Sequence, residues 1–159
     1  MADFAFLHNY LVSLANYQDQ DYASILDKHV DRHKERLGAM GVPPEQVLDC
    51  FVCHSWESDV MVPPVDFWYL AASRLFLFRV TRPAVPTGTR QTDQTEMLVL
   101  PLRSISAVRV ERDHRDRPTK IALLSEAGLW EIKQIPNLDW TRMSDRLEPF
   151  ANSLVSHLA

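Results

Sequence analysis

The spacing of apolar residues changes near residue 47, and this change constrains the fold more than any other feature of the sequence. Before it, apolar residues recur every three or four positions, as on one face of a helix; Phe4, Leu7, Leu11 and Leu14 form one such series. After it, short runs rich in aromatic and β-branched side chains alternate with polar residues, a pattern typical of strands. A helical first part followed by strands predicts an α+β fold.

The helical part predicts a hairpin of two helices, the first over about residues 3–17. The second carries Ile25, Val30 and Leu37 at helical spacing and ends at the Gly and Pro residues of segment 38–44. We therefore divide the chain into a hairpin, 1–44, and a strand-rich part, 45–159. Because short helices are marginal alone, the hairpin must pack either on the strands or on another chain.

The strand-rich part predicts seven short strands separated by turn segments that contain Pro, Gly or Asp. We place them at 47–54, 66–72, 74–81, 95–100, 106–112, 119–125 and 128–133. No helical crossover separates them, so an antiparallel barrel or sandwich is expected.

A last amphipathic helix follows the strands and is expected to cap one end of the barrel. It begins near Asn137 or Asp139, and its apolar face runs from Trp140 to Leu158. Pro149 predicts a kink in this helix, or a break at which a short final helix begins.

Three strings in the strand-rich part resemble bacterial members of the pleckstrin-homology-like family. They are YLAASRLFLFRV at 69–80, LPLRSISAVRVER at 100–112 and KIALLSEAGLWEIKQIPN at 120–137. Seven strands followed by a helix with a Trp near its start are also similar to that family, over about residues 46–159. The resemblance implies a seven-stranded barrel closed by the C-terminal helix.

This resemblance also implies a binding or scaffolding module that is not an enzyme and often self-associates. We expect a protein partner or a second copy, with a homo-oligomer favoured, and no nucleic acid. The candidate contact residues are apolar side chains in the first loop and on the first helix: Trp56, Val60, Met61, Val62, Phe6 and Tyr10.

Two other functions are kept as alternatives. The first loop of the barrel, SWESDVMVPPVD at 55–66, has three acids and no base, which argues against a phosphoinositide site there. A basic cluster lies further along, at Arg109, Arg112, Arg115, Arg117 and Lys120. It suggests a peripheral membrane module that binds anionic lipid, although interleaved acids favour a solvated hairpin. A small-ligand carrier with a pocket at the barrel mouth is the other alternative.

The string CFVCH at 50–54 matches the haem c attachment pattern. In a strand, however, alternation points the Cys50 and Cys53 side chains to opposite faces, so we expect two buried thiols and no haem, redox pair or metal. His29 and His33 are spaced to share one helix face. Without a placed carboxylate they favour half-buried packing at the hairpin interface over metal binding.

The remaining composition excludes several classes of protein. Apolar residues make up 46% and charged residues 24%, which is typical of a globular domain, and no apolar run approaches the ~20 residues of a membrane span. The start of the chain does not read as a secretion signal, so a cytoplasmic location is expected. The sequence contains no glycine-rich phosphate loop and no nucleophile elbow, and we expect no catalytic residues, cofactor or bound metal.

Overall fold

The strands form two antiparallel sheets in the computed structural model, which describes residues 4–5, 7–8, 20–54, 64–81, 94–133 and 143–158. The first sheet has four strands in chain order: β1 Val47–His54, β2 Val65–Ala71, β3 Arg74–Thr81 and β4 Gln94–Pro101. The second sheet has three, again in chain order: β5 Ile105–Arg112, β6 Pro118–Ser125 and β7 Gly128–Lys133. The predicted α+β class and antiparallel strands are confirmed, and every strand end lies within one residue of its prediction.

Two helices flank these sheets in the described part of the chain. Helix α1 spans Gln20–Ala39, and residues 4, 5, 7 and 8 also have helical backbone. Helix α2 spans Leu147–Ser156 and follows a 3-10 turn, Met143–Arg146. The predicted helix start near residue 137 lies outside the described residues. Pro149 falls in the first turn of α2, where its missing N–H breaks no helical hydrogen bond, so it lies near the start of a short final helix that directly follows the 3-10 turn. None of the described helices is both long enough and apolar enough to span a membrane.

Strands β1 to β3 of the four-stranded sheet are mostly buried on both faces, and all seven residues of β2 are buried, whereas the edge strand β4 is partly exposed. Side chains alternate between the faces, so Trp68 points to one and Phe67 to the other. We call the face that carries Trp68 the inner face, because Phe51, which is paired with Trp68, meets Phe150 of α2 at a ring-centroid distance of 5.8 Å. The face that carries Phe67 is the outer face. A strand buried on both sides needs a layer on each side.

Helix α1 supplies the outer layer. The His33 ring stacks on Phe78 at 4.3 Å and meets the edge of Phe67 at 5.0 Å. Its Nδ1 and the Tyr69 hydroxyl are hydrogen-bonded at 2.8 Å. Phe4 stacks on Tyr69, with ring centroids 6.0 Å apart. Of the two packing partners considered for the second predicted helix, the structure therefore shows the strands of the same chain, and α1 and both sheets share one apolar core.

The three-stranded sheet, by contrast, is buried on one face only. Its inner face carries Ile121, Leu123 and Ile132, all fully buried, whereas its outer face carries charged side chains such as Lys120 and Glu131. Helix α2 packs on the strands with buried Leu147, Phe150, Ala151 and Leu154, which were predicted for its apolar face. The first sheet is therefore covered by other elements on both faces, whereas the second sheet is covered on its inner face only.

Candidate binding surfaces

The two cysteines of CFVCH lie on opposite faces of β1, as alternation predicted. Cys50 is paired with Tyr69 and Cys53 with Asp66, and both are buried and form no disulfide. Burial, together with the nearby Asp66 carboxylate, raises the pKa of the Cys53 thiol to about 12. Because the thiolate is the reactive and metal-binding form, this thiol is suited to packing. Cys50 on the outer face and Cys53 on the inner face act as small apolar residues.

The two histidines of α1 are more deeply buried than predicted. His29 is 3% exposed and His33 is 1% exposed, and their ring centroids are 6.1 Å apart. The prediction of half-buried side chains is therefore wrong, and the His33 ring packs on the first sheet, where it contacts Phe67 and Phe78. Burial, helped by the charges of His29 and Arg36, lowers the pKa of His33 to about 3. Within the described ranges, no three His, Cys, Asp or Glu side chains are grouped so that they could hold a metal ion.

An ion pair that the sequence analysis missed lies on the inner face of the first sheet. Asp66, only 1% exposed, accepts two hydrogen bonds from the Arg79 guanidinium, at 2.7 and 3.2 Å. The two residues are direct partners in the β2–β3 register. The acid in β2 and the second arginine of β3, each next to apolar residues, were the available signal, since buried charges are almost always paired.

The basic cluster does not form one positive patch. Arg109 and Lys120 lie on the outer face of the second sheet, where both are within 3.5 Å of the Glu111 carboxylate. Lys120 also reaches Glu131 at 3.2 Å. The hydrogen bonds that the Lys120 ammonium donates to these two carboxylates raise its pKa, with Glu111 the larger cause.

The rest of the cluster lies around the β5–β6 turn. Arg112 contacts Glu148 of α2 at 3.0 Å, and Arg117 contacts Asp113 at 3.4 Å. Backbone N–H groups, chiefly that of Arg117, lower the pKa of the Asp113 carboxyl. Arg115 has no carboxylate within 4 Å in the described part of the chain. The five basic residues are thus divided between two surfaces, and four of them are neutralised locally.

Two leucines are exposed on the outer face of the second sheet. Leu124 is 48% exposed and Leu129 is 58% exposed, and they are direct partners in the β6–β7 register. Ala107 of β5 lies opposite Leu124. We call these three residues the leucine patch. The next residue pair on the same face is Ala122 and Glu131, and the charged residues of this face begin there.

A cleft opens at the end of the first sheet where β2 turns into β3. Its volume is about 690 Å³, and its walls are the turn 72–74, the segment 99–103 and residues 157–158 after α2. We call it the rim cleft. The sequence did not predict a cleft at this position. Two arginines, Arg74 and Arg103, line it.

The predicted protein-contact residues fall outside the described residues. This applies to Trp56, Val60, Met61 and Val62 of the predicted first loop and to Phe6 and Tyr10 of the predicted first helix. The leucine patch and the rim cleft are therefore the surfaces that the structure offers for a functional interpretation.

Comparison with known proteins adds no assignment to these surfaces: the chain matches no protein-family model and no curated protein.

Proposed function

We propose that the protein is a non-catalytic binding module of the pleckstrin-homology-like type that acts through protein contact, with a second copy of itself as the partner. A chain-order sheet of four strands, a chain-order sheet of three and a helix packed against them support this assignment. Seven antiparallel strands followed by a helix are the elements that the resemblance of segments 69–80, 100–112 and 120–137 implies. A cytoplasmic location fits two buried cysteines that form no disulfide.

The leucine patch is the observation that carries this proposal. The molecule covers the apolar outer face of its first sheet with α1 but leaves Leu124 and Leu129 about half exposed on the second. Exposed apolar residues grouped on one face are typical of interaction sites. The leucine patch thus lacks the cover that the other sheet has.

A second copy fits this face because its charges are of both signs. Next to the leucine patch lie Glu111, Lys120, Glu131 and Lys133, linked to one another by contacts of 3.1 to 3.2 Å. In a two-fold dimer the same surface meets itself, so acids and bases must be able to exchange partners. A face with one sign of charge would repel its copy, whereas this one does not.

Light scattering over a range of protein concentrations tests the proposal. We expect the mass to rise from monomer towards dimer, and the double variant Leu124→Ser, Leu129→Ser to remain a monomer. Val155→Ser is the matched control, because Val155 is 49% exposed but lies on α2, away from the leucine patch. A monomeric wild type throughout, or a dimer that the double variant leaves intact, would contradict the proposal.

The membrane alternative has weaker support because Arg109, Arg112, Arg117 and Lys120 each contact a carboxylate. Those contacts reduce the positive potential that an anionic membrane would meet. Co-sedimentation with anionic vesicles at low salt tests it. Binding that falls with salt and with replacement of Arg112, Arg115 and Arg117 by Ala would favour this alternative over self-association.

A further inference from the structure

The rim cleft has the composition of an anion site with an apolar wall. Its lining includes Arg74, Arg103 and His157 beside Val99, Leu102 and Leu158, and no lining residue in the described part of the chain is acidic. This is unexpected in a protein whose net charge is −4. The local charge of the rim cleft is therefore opposite to that of the whole chain.

The two arginines of the rim cleft differ from the other basic residues of the sheets. Arg79, Arg109, Arg112, Arg117, Lys120 and Lys133 each have a carboxylate within 4 Å. Arg74 and Arg103 have none among the described residues, and neither donates a hydrogen bond there. Arg115 shares this property, but it lies on the exposed β5–β6 turn and lines no part of the rim cleft. Two guanidinium groups without an internal partner thus line the same cavity.

Backbone contacts hold the main-chain positions of Arg74 and Arg103 close to each other. The Leu102 N–H donates a hydrogen bond of 3.0 Å to the Ser73 carbonyl, and this bond ties the β2–β3 turn to the segment that follows β4. Arg74 directly follows Ser73, and Arg103 directly follows Leu102. Arg74 is also paired with Pro101 in the β3–β4 register. Both side chains therefore leave the backbone at a junction that this hydrogen bond and the β3–β4 pairing hold together, so the backbone there is already ordered before a ligand binds.

Most carbonyl groups at the C-terminal end of α2 are hydrogen-bonded, so few of them are left to repel an anion in the rim cleft. The last carbonyls of a helix normally carry partial negative charge towards such a site. Here the Ser153 carbonyl accepts a 2.6 Å hydrogen bond from His157 Nδ1 and a 2.8 Å bond from the Ser156 hydroxyl. The Leu154 and Val155 carbonyls accept backbone N–H groups of His157 and Leu158. These bonds reduce the negative potential at this wall.

We propose that the rim cleft binds a phosphate monoester that carries an apolar group. Arg74 and Arg103 hold the phosphate oxygens, since a guanidinium fork matches two of them and two positive charges match a dianion. Val99, Leu102 and Leu158 receive the apolar group. A volume of about 690 Å³ is larger than phosphate needs and lies within the ~300–1,000 Å³ of small-molecule sites. This site uses none of the residues of the leucine patch, so it is independent of the self-association proposed above.

Calorimetric titration with hexyl phosphate, inorganic phosphate and hexanol tests the proposal. We expect saturable binding of hexyl phosphate, at least ~10-fold weaker binding of inorganic phosphate, and none of hexanol, because both the charge and the apolar group contribute. Arg74→Gln and Arg103→Gln should each weaken hexyl phosphate at least ~5-fold. Arg115→Gln is the matched control, since it removes one equally unpaired charge from another surface. It should change the affinity less than ~2-fold.

Vesicles that contain phosphatidic acid, whose headgroup is a phosphate monoester, distinguish a lipid from a soluble ligand. Binding to these vesicles that Arg74→Gln and Arg103→Gln abolish, and Arg115→Gln does not, would support the site and identify a membrane lipid as its source. Binding of hexyl phosphate alone would support it with a soluble ligand. No saturable binding to either probe, or equal weakening by Arg115→Gln, would overturn the proposal. All three arginines are exposed, so unchanged unfolding midpoints will show that the variants fold.

Discussion

The two sheets of this protein present different outer faces. On the four-stranded sheet, Phe67, Tyr69 and Phe78 are buried beneath α1. On the three-stranded sheet, the corresponding face carries exposed Leu124 and Leu129 beside a ladder of ion pairs. The same chain therefore covers one outer face itself and leaves the other open to solvent or to a partner.

The difference between the two outer faces follows from the amino-acid sequences of the strands. Strand β3 reads RLFLFRVT, with apolar residues at consecutive positions, whereas β5 reads ISAVRVER, in which charged and apolar residues alternate. A continuous apolar run indicates a strand buried on both faces, and alternation indicates one wet face. Helix α1 provides the second cover that the apolar runs of β2 and β3 require. The alternating sequence of β5 requires no such cover.

The largest expected effect comes from opening the covered face. Phe78 is fully buried, and its ring contacts His33 and Tyr69. Replacing it by Ala leaves a cavity between α1 and the sheet, so we expect Phe78→Ala to lower the free energy of unfolding by about 3–5 kcal/mol. Urea denaturation followed by circular dichroism measures it.

Met97 offers a matched control for this prediction. It is paired with Phe78 in the β3–β4 register and lies on the same outer face, but it is 44% exposed. We expect Met97→Ala to cost less than about 1 kcal/mol. A cost below about 1 kcal/mol for Phe78→Ala would show that α1 does not pack firmly on this sheet in solution.

A smaller effect is expected from the pH dependence of the covered face. The pKa of His33 is about 3 in the folded protein and ~6.5 in an unfolded chain, so the unfolded state binds more protons between these values. Stability is therefore lost as the pH falls from about 6.5 towards 3. Between pH 7 and pH 5, this one residue should lower the free energy of unfolding by about 2 kcal/mol.

The variant His33→Gln isolates this contribution, because Gln does not titrate and can still hydrogen-bond the Tyr69 hydroxyl. Urea denaturation at pH 7 and pH 5 should give a difference about 2 kcal/mol smaller for the variant than for the wild type. An equal pH dependence in wild type and His33→Gln would mean that the His33 ring is not buried.

Most of the fold follows from local sequence patterns. Alternation and turn residues gave β1, β3 and β7 to the exact residue, because a strand ends where its buried face ends. The packing partner of the second predicted helix was left open, although the runs DFWYLA and LFLF already required a second cover on the first sheet. The two-residue period of apolar side chains identifies a strand. Whether one or both of its faces are apolar indicates how many neighbouring layers must cover it.

The candidate sites were far less predictable, because their residues are distant in sequence. Arg112 and Glu148 are 36 positions apart, so the basic cluster looked more positive in the sequence than it is in the fold. Arg74 and Arg103 come together only through the β3–β4 pairing and the hydrogen bond between Leu102 and Ser73. No spacing rule along the chain joins these two arginines.

The smallest effect on stability is expected from a substitution on the exposed outer face of the three-stranded sheet, and it tests the contrast between the two sheets. Leu129 is 58% exposed, so truncating it removes little buried surface, and Leu129→Ala should change the free energy of unfolding of the monomer by less than about 0.5 kcal/mol. If a second copy covers the leucine patch, dimer formation stabilises the wild type as its concentration rises. Thermal unfolding at low and high protein concentration should then separate wild type from Leu129→Ala only at the high one. A loss above about 1.5 kcal/mol at low concentration would instead mean that the chain covers this face itself, and the contrast between the two sheets would disappear.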